Sequence, residues 1–245
     1  MKQENFYNQF HKKSSSQKKI ISKNNFTYFT ILKNIQNILS LIPKNSKILD
    51  FGCGSGTLSF YLSSCGYNLT GVDISPAVIK IAKKSAKQMK SNLKLHTLKG
   101  FKRQMSKKYD LILCIEVIEH VKNDEQLLKE MRNCLKPGGY LYISTPSANA
   151  PLYKLGLLNK FDKEVGHLRR YSTKNLIEKV MNSGLVIIQE SKEEGIIRNS
   201  FFTLKLFGWM VRFIKGPIVI IVEFLDKLSI PFFGESNIHL LAQKP

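Results

Sequence analysis

Residues 48–56 read Ile48-Leu49-Asp50-Phe51-Gly52-Cys53-Gly54-Ser55-Gly56: an apolar run, a carboxylate, then three glycines at alternate positions. Such a stretch is a strand feeding a glycine loop at the edge of a parallel sheet. Glycine allows the sharp turn and leaves no side chain between the backbone and a ligand. Seventeen residues past Gly56, Asp73 follows a second short strand, 68–72. An acid there suits a ribose, because one carboxylate accepts hydrogen bonds from both vicinal hydroxyls. Dinucleotide loops space their last two glycines three apart so that pyrophosphate sits on the helix N-terminus. Here Gly54 and Gly56 are two apart, and Asp50 would repel a pyrophosphate. A cationic ligand, such as an α-amino group beside a sulfonium, suits this loop instead.

Strand and helix patterns alternate downstream. Apolar runs at 47–51, 68–72, 93–98, 111–115, 140–144 and 185–190 predict strands. The segments 57–65, 76–90, 125–134 and 173–182 between them predict helices, and 237–243 predicts a closing strand. This order argues for a parallel sheet with helices on both faces. An amphipathic helix is expected over 26–41, ended by Pro43. The chain of 245 residues, 43% hydrophobic, has room for one α/β domain plus extensions. We divide it into a mobile basic arm (1–25), a core (26–200), an apolar insertion (201–233) and the closing strand of the core (234–245).

The arm carries six lysines, one acid and the run Ser14-Ser15-Ser16; its aromatic start, Phe6-Tyr7-Asn8-Gln9-Phe10, suits either a cover for a pocket or a short docking helix. The insertion is rich in Phe, Ile, Val and Leu and includes Trp209. Its longest uncharged run, 216–222, is too short to span a bilayer. A pocket lid, a membrane-interface segment, plain core and a dimer surface all remain open readings. The net charge is +20, with eleven Lys/Arg and no acid in 74–109. Lys80, Lys83, Lys84 and Lys87 share one helical face, either a solvated face or an attraction to nucleic acid or lipid headgroups. The four cysteines form no CxxC pair, as expected for reduced thiols in a cytoplasmic protein, and the polar N-terminus does not read as a secretory signal.

At this point the chain resembles the class I S-adenosylmethionine (SAM)-dependent methyltransferases. Ile48–Gly56 is similar to their first motif and Gly71-Val72-Asp73 to their second. Tyr109–Cys114 is similar to their fourth strand, and Leu135–Ile143, with Pro137-Gly138-Gly139, to their turn and fifth strand. The resemblance implies a Rossmann-like, doubly wound, mostly parallel seven-stranded sheet whose last strand runs antiparallel. It implies SAM as cofactor, with Asp50 and the loop Gly52, Cys53, Gly54 and Gly56 at the methionine part and Asp73 at the ribose. Ile74, Lys99, Gly100, Ile115 and Glu116 complete the cofactor set. Lys99-Gly100 stands where many relatives place a carboxylate for the adenine amino group, which leaves the adenine to main-chain groups.

Methyl transfer from a sulfonium is an in-line displacement, so the protein mainly aligns acceptor, methyl and sulfur. An oxygen acceptor also needs a base. His120, in Glu116-Val117-Ile118-Glu119-His120, follows the fourth strand at the ligand-binding edge; His167 lies in the polar loop Gly166–Ser172. Arg169 and Arg170 beside it have the chemistry to grip a carboxylate or phosphate. Glu116, Glu119 and His120, at i, i+3, i+4, share a face if the turn is helical. The Glu-x-x-Glu-His spacing, the loop histidine and the late apolar insertion resemble the ubiquinone-biosynthesis O-methyltransferases. That resemblance implies a lipophilic acceptor (a polyprenyl-quinone precursor or a glycolipid) at a membrane surface, with a divalent metal such as Mg on Glu116, Glu119 and His120. An RNA methyltransferase is the alternative the charge suggests, although Glu116-Val117-Ile118-Glu119 replaces the Asn/Asp-Pro-Pro-Tyr/Phe motif of base N-methylation. A non-catalytic SAM-binding subunit is the other.

Overall fold

The computed structural model describes residues 2–11, 15–22, 24–102 and 108–245. Ser14 of the serine run, Lys12, Lys13 and Lys23 of the arm, and the 103–107 part of the basic stretch lie outside these. The strands are β1 Lys47–Phe51, β2 Asn68–Asp73, β3 Lys94–Thr97, β4 Tyr109–Ile115, β5 Leu135–Pro146, β6 Val186–Glu193 and β7 Asn237–Gln243. They form one sheet in the order β3-β2-β1-β4-β5-β7-β6. Only β7 runs antiparallel to its neighbours β5 and β6, so the seven-stranded, doubly wound expectation holds.

The helices are α1 Lys2–Phe10, α2 Phe29–Leu39, α3 Thr57–Ser64, α4 Pro76–Gln88, α5 Leu98–Lys102, α6 Asp124–Cys134, α7 Pro151–Lys154, α8 Asn159–Val165, α9 Thr173–Asn182, α10 Ile196–Thr203, α11 Lys205–Gly208 and α12 Pro217–Phe233. Several starts are written in the chain. The Ser75 hydroxyl accepts from Val78 N–H ahead of Pro76, and Asn123 and Ser172 cap α6 and α9 the same way. The β4 run Leu111–Cys114 has no exposed surface, because helices cover both its faces. Leu111 and Leu113 pack with Leu32, Ile35, Leu62 and Ile79 from α2, α3 and α4, while Ile112 and Cys114 pack with Leu128, Met131, Leu176 and Val180 from α6 and α9. Each such side chain stabilises the fold by about 1.5–3 kcal/mol. None of the four cysteines is in a disulfide. Lys80, Lys83, Lys84 and Lys87 are all exposed.

Three elements differ from the sequence reading. β3 stops at Thr97, whose hydroxyl accepts from Gly100 N–H at 3.3 Å, and the chain turns into α5. The start of the arm, expected as mobile with a docking helix as one option, is a helix laid on the carboxyl edge of the sheet, with Tyr7 edge-on to His120 at 5.5 Å and Phe6 and Phe10 left exposed. Asn8 Oδ1 accepts there from the Ser75 hydroxyl at 2.6 Å, and Gln3 donates to the His120 carbonyl at 2.6 Å. Third, β5 begins five residues early, carrying the Pro137-Gly138-Gly139 turn within its paired span.

Candidate active site

A cavity of about 930 Å³ opens along the carboxyl ends of β1, β2 and β4. Asp50, Gly52, Cys53, Gly54, Asp73, Ile74, Ile115, Glu116, His120 and His167 line it together. Gly56, Lys99, Gly100 and Glu119 do not. Gly56 sits one step back as the left-handed N-cap of α3, and Lys99 and Gly100 are carried away from the wall by the helical turn of α5. At Gly52, φ is +83° and a side chain would collide with Val117, so this loop position tolerates only glycine.

The two acids of the loop are held differently. Asp73 accepts from Gly54 N–H at 3.0 Å and from Ser75 N–H at 2.8 Å, closing the glycine loop over β2. Each of its oxygens keeps a lone pair for a further donor. Asp50 is 4% exposed and accepts from the Ser59 hydroxyl at 2.5 Å. Burial pushes its carboxyl up to about 6, the Ser59 bond pulling the other way.

Two imidazoles that line the same cavity are each tethered by one nitrogen. His120 Nδ1–H donates to the Gly166 carbonyl at 3.0 Å. His167 Nδ1–H donates to Asp162 Oδ1 at 2.9 Å. The free Nε2 atoms both face Glu119 Oε1, at 3.5 and 4.0 Å, and the rings stand 4.9 Å apart. Burial holds His120 down at about 4, so it is neutral at pH 7. Glu119 is fully buried; its other oxygen accepts from Thr145, Oε1 has no hydrogen-bond partner, and burial drives its carboxyl well above the usual carboxylate range.

Glu116 is not part of this group. Its φ is +53° and only Ile118–His120 forms a 3-10 turn, so the i, i+3, i+4 face does not exist. Its carboxylate instead accepts from Ser144 and Asn237 at 3.0 and 2.8 Å. Among the described residues, the side chains close enough to share a cation are Glu119, His120 and His167, whose ligand atoms lie within 4.8 Å of one another. The arginines expected to grip an anion are engaged internally. Arg169 pairs with Asp124 at 2.7 Å, and Arg170 makes a two-armed bond to Asp162 at 2.6 and 2.9 Å.

A family model described as a methyltransferase domain matches residues 25–190. The chain belongs to the SAM-dependent methyltransferases. It is 30% identical over 176 residues to a ubiquinone biosynthesis O-methyltransferase of Hydrogenovibrio crunogenus, covering 71% of this chain and 67% of the relative. A protein of the same description from Coxiella burnetii is 35% identical over 123 residues, and the match spans about half of each chain, 50% and 52%. Among solved structures, magnesium protoporphyrin IX methyltransferase from Synechocystis, which holds S-adenosylhomocysteine (SAH), superposes with a TM-score of 0.61 at 14% identity, over 98% of this chain and 94% of that one. In this methyltransferase the aromatic start of the arm and the beginning of the apolar insertion wall the cavity, two of the placements the sequence left open. Tyr7 and Phe10 of α1, with His11 just after it, close one side, and Asn199, Phe202 and Thr203 of α10 close another. Asp162 was not singled out: α8 ends at the left-handed Gly166, and this cap turns His167 back onto Asp162.

Proposed function

We propose that this enzyme transfers a methyl group from SAM to a hydroxyl of a lipophilic small molecule. The observation that carries the reading is the pair of tethered imidazoles, His120 and His167, that line the same cavity as the glycine loop, Asp50 and Asp73. Asp50 and the loop receive the methionine end of SAM, where a carboxylate meets an ammonium in a low-dielectric wall. Asp73 takes the ribose hydroxyls. About 930 Å³ is near the upper end of single-ligand pockets, which run to roughly 1,000 Å³, so donor and acceptor both have room. Tyr28, Ile31, Phe161, Val165 and Phe202 give the acceptor an apolar surround. The relatives' printed name, a ubiquinone biosynthesis O-methyltransferase, supports a hydroxylated ring with a prenyl tail.

The acceptor oxygen attacks the methyl carbon in line as the carbon–sulfur bond breaks and its electrons return to sulfur, leaving SAH. His167 Nε2 takes the hydroxyl proton. Asp162 fixes the tautomer in which that nitrogen is the acceptor, and Arg170 fixes Asp162. Alignment supplies about 7–11 kcal/mol of the barrier and the base about 10²–10⁴-fold.

One observation favours a second arrangement. An orphaned buried carboxylate oxygen between two Nε2 atoms, each histidine anchored through Nδ1, is a donor set that fits a divalent cation. Glu119, His120 and His167 would hold it, and such an ion would supply Lewis acidity toward a hydroxyl. Two imidazoles and one carboxylate suit zinc, iron or manganese better than magnesium.

The test is incorporation of labelled methyl from SAM into a panel of prenylated catechols, with and without prior chelation. The base reading expects transfer that survives chelation and fails in His167→Ala. Transfer abolished by chelation and restored by zinc or manganese assigns the histidines to a cation. Labelling of RNA with no labelling of the catechols would overturn the acceptor class.

A further inference from the structure

Helix α12 lies in the structure with its apolar side outward. Its buried positions are Val219, Glu223 and Asp226, spaced i, i+4, i+7 along one face. The opposite face presents Ile220, Ile221, Phe224, Leu225, Leu228 and Phe232, each between 49% and 83% exposed. Just before the helix, the rings of Trp209 and Phe213 meet edge to face at 5.5 Å, 57% and 67% exposed. An amphipathic helix that served only the core would be turned the other way.

The inversion has an anchor. Arg198 of α10 is fully buried, with its guanidinium over the rings of Phe26 and Phe202 at 4.6 and 5.0 Å. A buried cation requires partners: Glu194 accepts from it at 3.1 Å and Glu223 of α12 lies at 3.6 Å. Asp226 accepts from Gly195 N–H at 2.7 Å and Arg198 N–H at 2.9 Å, capping α10. A side chain at Gly195 would collide with Ser229 and the Asp226 carbonyl, so α12 sits directly on the backbone of α10. These contacts hold the polar face in, and the apolar face cannot roll under.

We propose that this outward face is a docking surface for an anionic lipid membrane. A contiguous apolar patch of this kind marks an interaction site. Charge selects the occupant. Each copy of the chain carries +20, so two copies repel at long range, whereas an anionic leaflet attracts it. Lys215 is exposed beside the patch, and Trp209 with Phe213 matches the aromatic chemistry of a bilayer interface. Among the described residues no helix is long and apolar enough to cross a membrane, so α12 would lie flat in the headgroup region. The surface lies outside the family-matched residues 25–190. It deepens the lipophilic-acceptor reading: α10 separates α12 from the cavity and lines that cavity with Asn199, Phe202 and Thr203. The test below reads binding alone, so it can fail or succeed independently of the acceptor assay.

Trp209 is the only tryptophan in the chain and reports directly. The full chain is mixed with vesicles of phosphatidylcholine alone or with about one third phosphatidylglycerol. The expected result is co-sedimentation with the anionic vesicles, a blue shift of Trp209 emission and its quenching by lipids brominated on the acyl chain. Phe224→Asp with Leu228→Asp should weaken that partition by about tenfold or more. Both positions are exposed, and an unchanged melting temperature with retained SAH binding shows that this variant is folded. Equal partition of native and variant chains would overturn the proposal. So would a native chain that stays in the supernatant with unshifted emission, or a vesicle-indifferent dimer that the variant dissolves.

Discussion

Replacing Asp162 by asparagine changes one atom and disturbs three hydrogen bonds. The carboxylate accepts from His167 Nδ1–H through Oδ1 and from Arg170 through both oxygens. Burial alone would raise its pKa, but the bonds from His167 and Arg170 and their charges hold it down at about 2. Against an ordinary value of 3.8, that depression corresponds to about 2 kcal/mol of stability. This contribution is present above pH 3.8 and fades as the pH falls through about 2. An asparagine has one acceptor oxygen. If that oxygen stays with Arg170, which is 4% exposed and needs it, the amide N–H₂ faces His167 and favours the tautomer with a proton on Nε2. The base is then blocked. We expect Asp162→Asn to lose about 2–4 kcal/mol in urea unfolding. We also expect kcat for a prenylated catechol to fall by at least about a hundredfold, with the KM for SAM nearly unchanged. Retained SAH binding by calorimetry separates this from a loosened fold. Native kcat in a folded Asp162→Asn chain, or equal loss in kcat and cofactor affinity, would refute the assignment.

Other consequences follow from the same geometry. Asp50→Asn should raise the melting temperature at pH 7, since a desolvated charge is removed, and weaken SAM binding by about tenfold or more in calorimetry. In the native chain SAM affinity should fall as the pH drops through about 6, where Asp50 takes up a proton, while SAH binding measured in parallel tracks the same group. Gly52→Ala should abolish measurable SAH binding and lower stability by about 1–3 kcal/mol, read by thermal melting. Arg198→Met should cost about 3–5 kcal/mol in urea unfolding, because Glu223 is left buried without its cation and Glu194 loses its ion-pair partner.

Where structure follows from local pattern, the sequence was legible. The bounds of β1 and β7, and of the helix Thr173–Asn182, coincide with the residues read from apolar periodicity and caps. Central strands covered on both faces have to be continuous apolar runs, and these were. The site was legible only in part. The glycine loop and Asp73 are adjacent in the chain to the strands that place them. The Glu-x-x-Glu-His spacing misled, because face-sharing holds only if the backbone is helical, and Glu116 is left-handed. Asp162 and His167 are joined by a helix end at Gly166, a left-handed glycine cap that was in the sequence but was not read as one, because no helix was assigned over 159–165. The insertion showed its apolar content but not its orientation, since nothing local to the helix shows that Glu223 and Asp226 face the buried Arg198 of α10.

The central claim is that a glycine loop with Asp50 and Asp73 cradles a sulfonium donor. Titration calorimetry of the full chain with SAM and with SAH tests it most directly. The account predicts one-to-one binding of both ligands, lost in Gly52→Ala and weakened in Asp50→Asn. No heat with either ligand, together with tight binding of a nicotinamide dinucleotide, would contradict it.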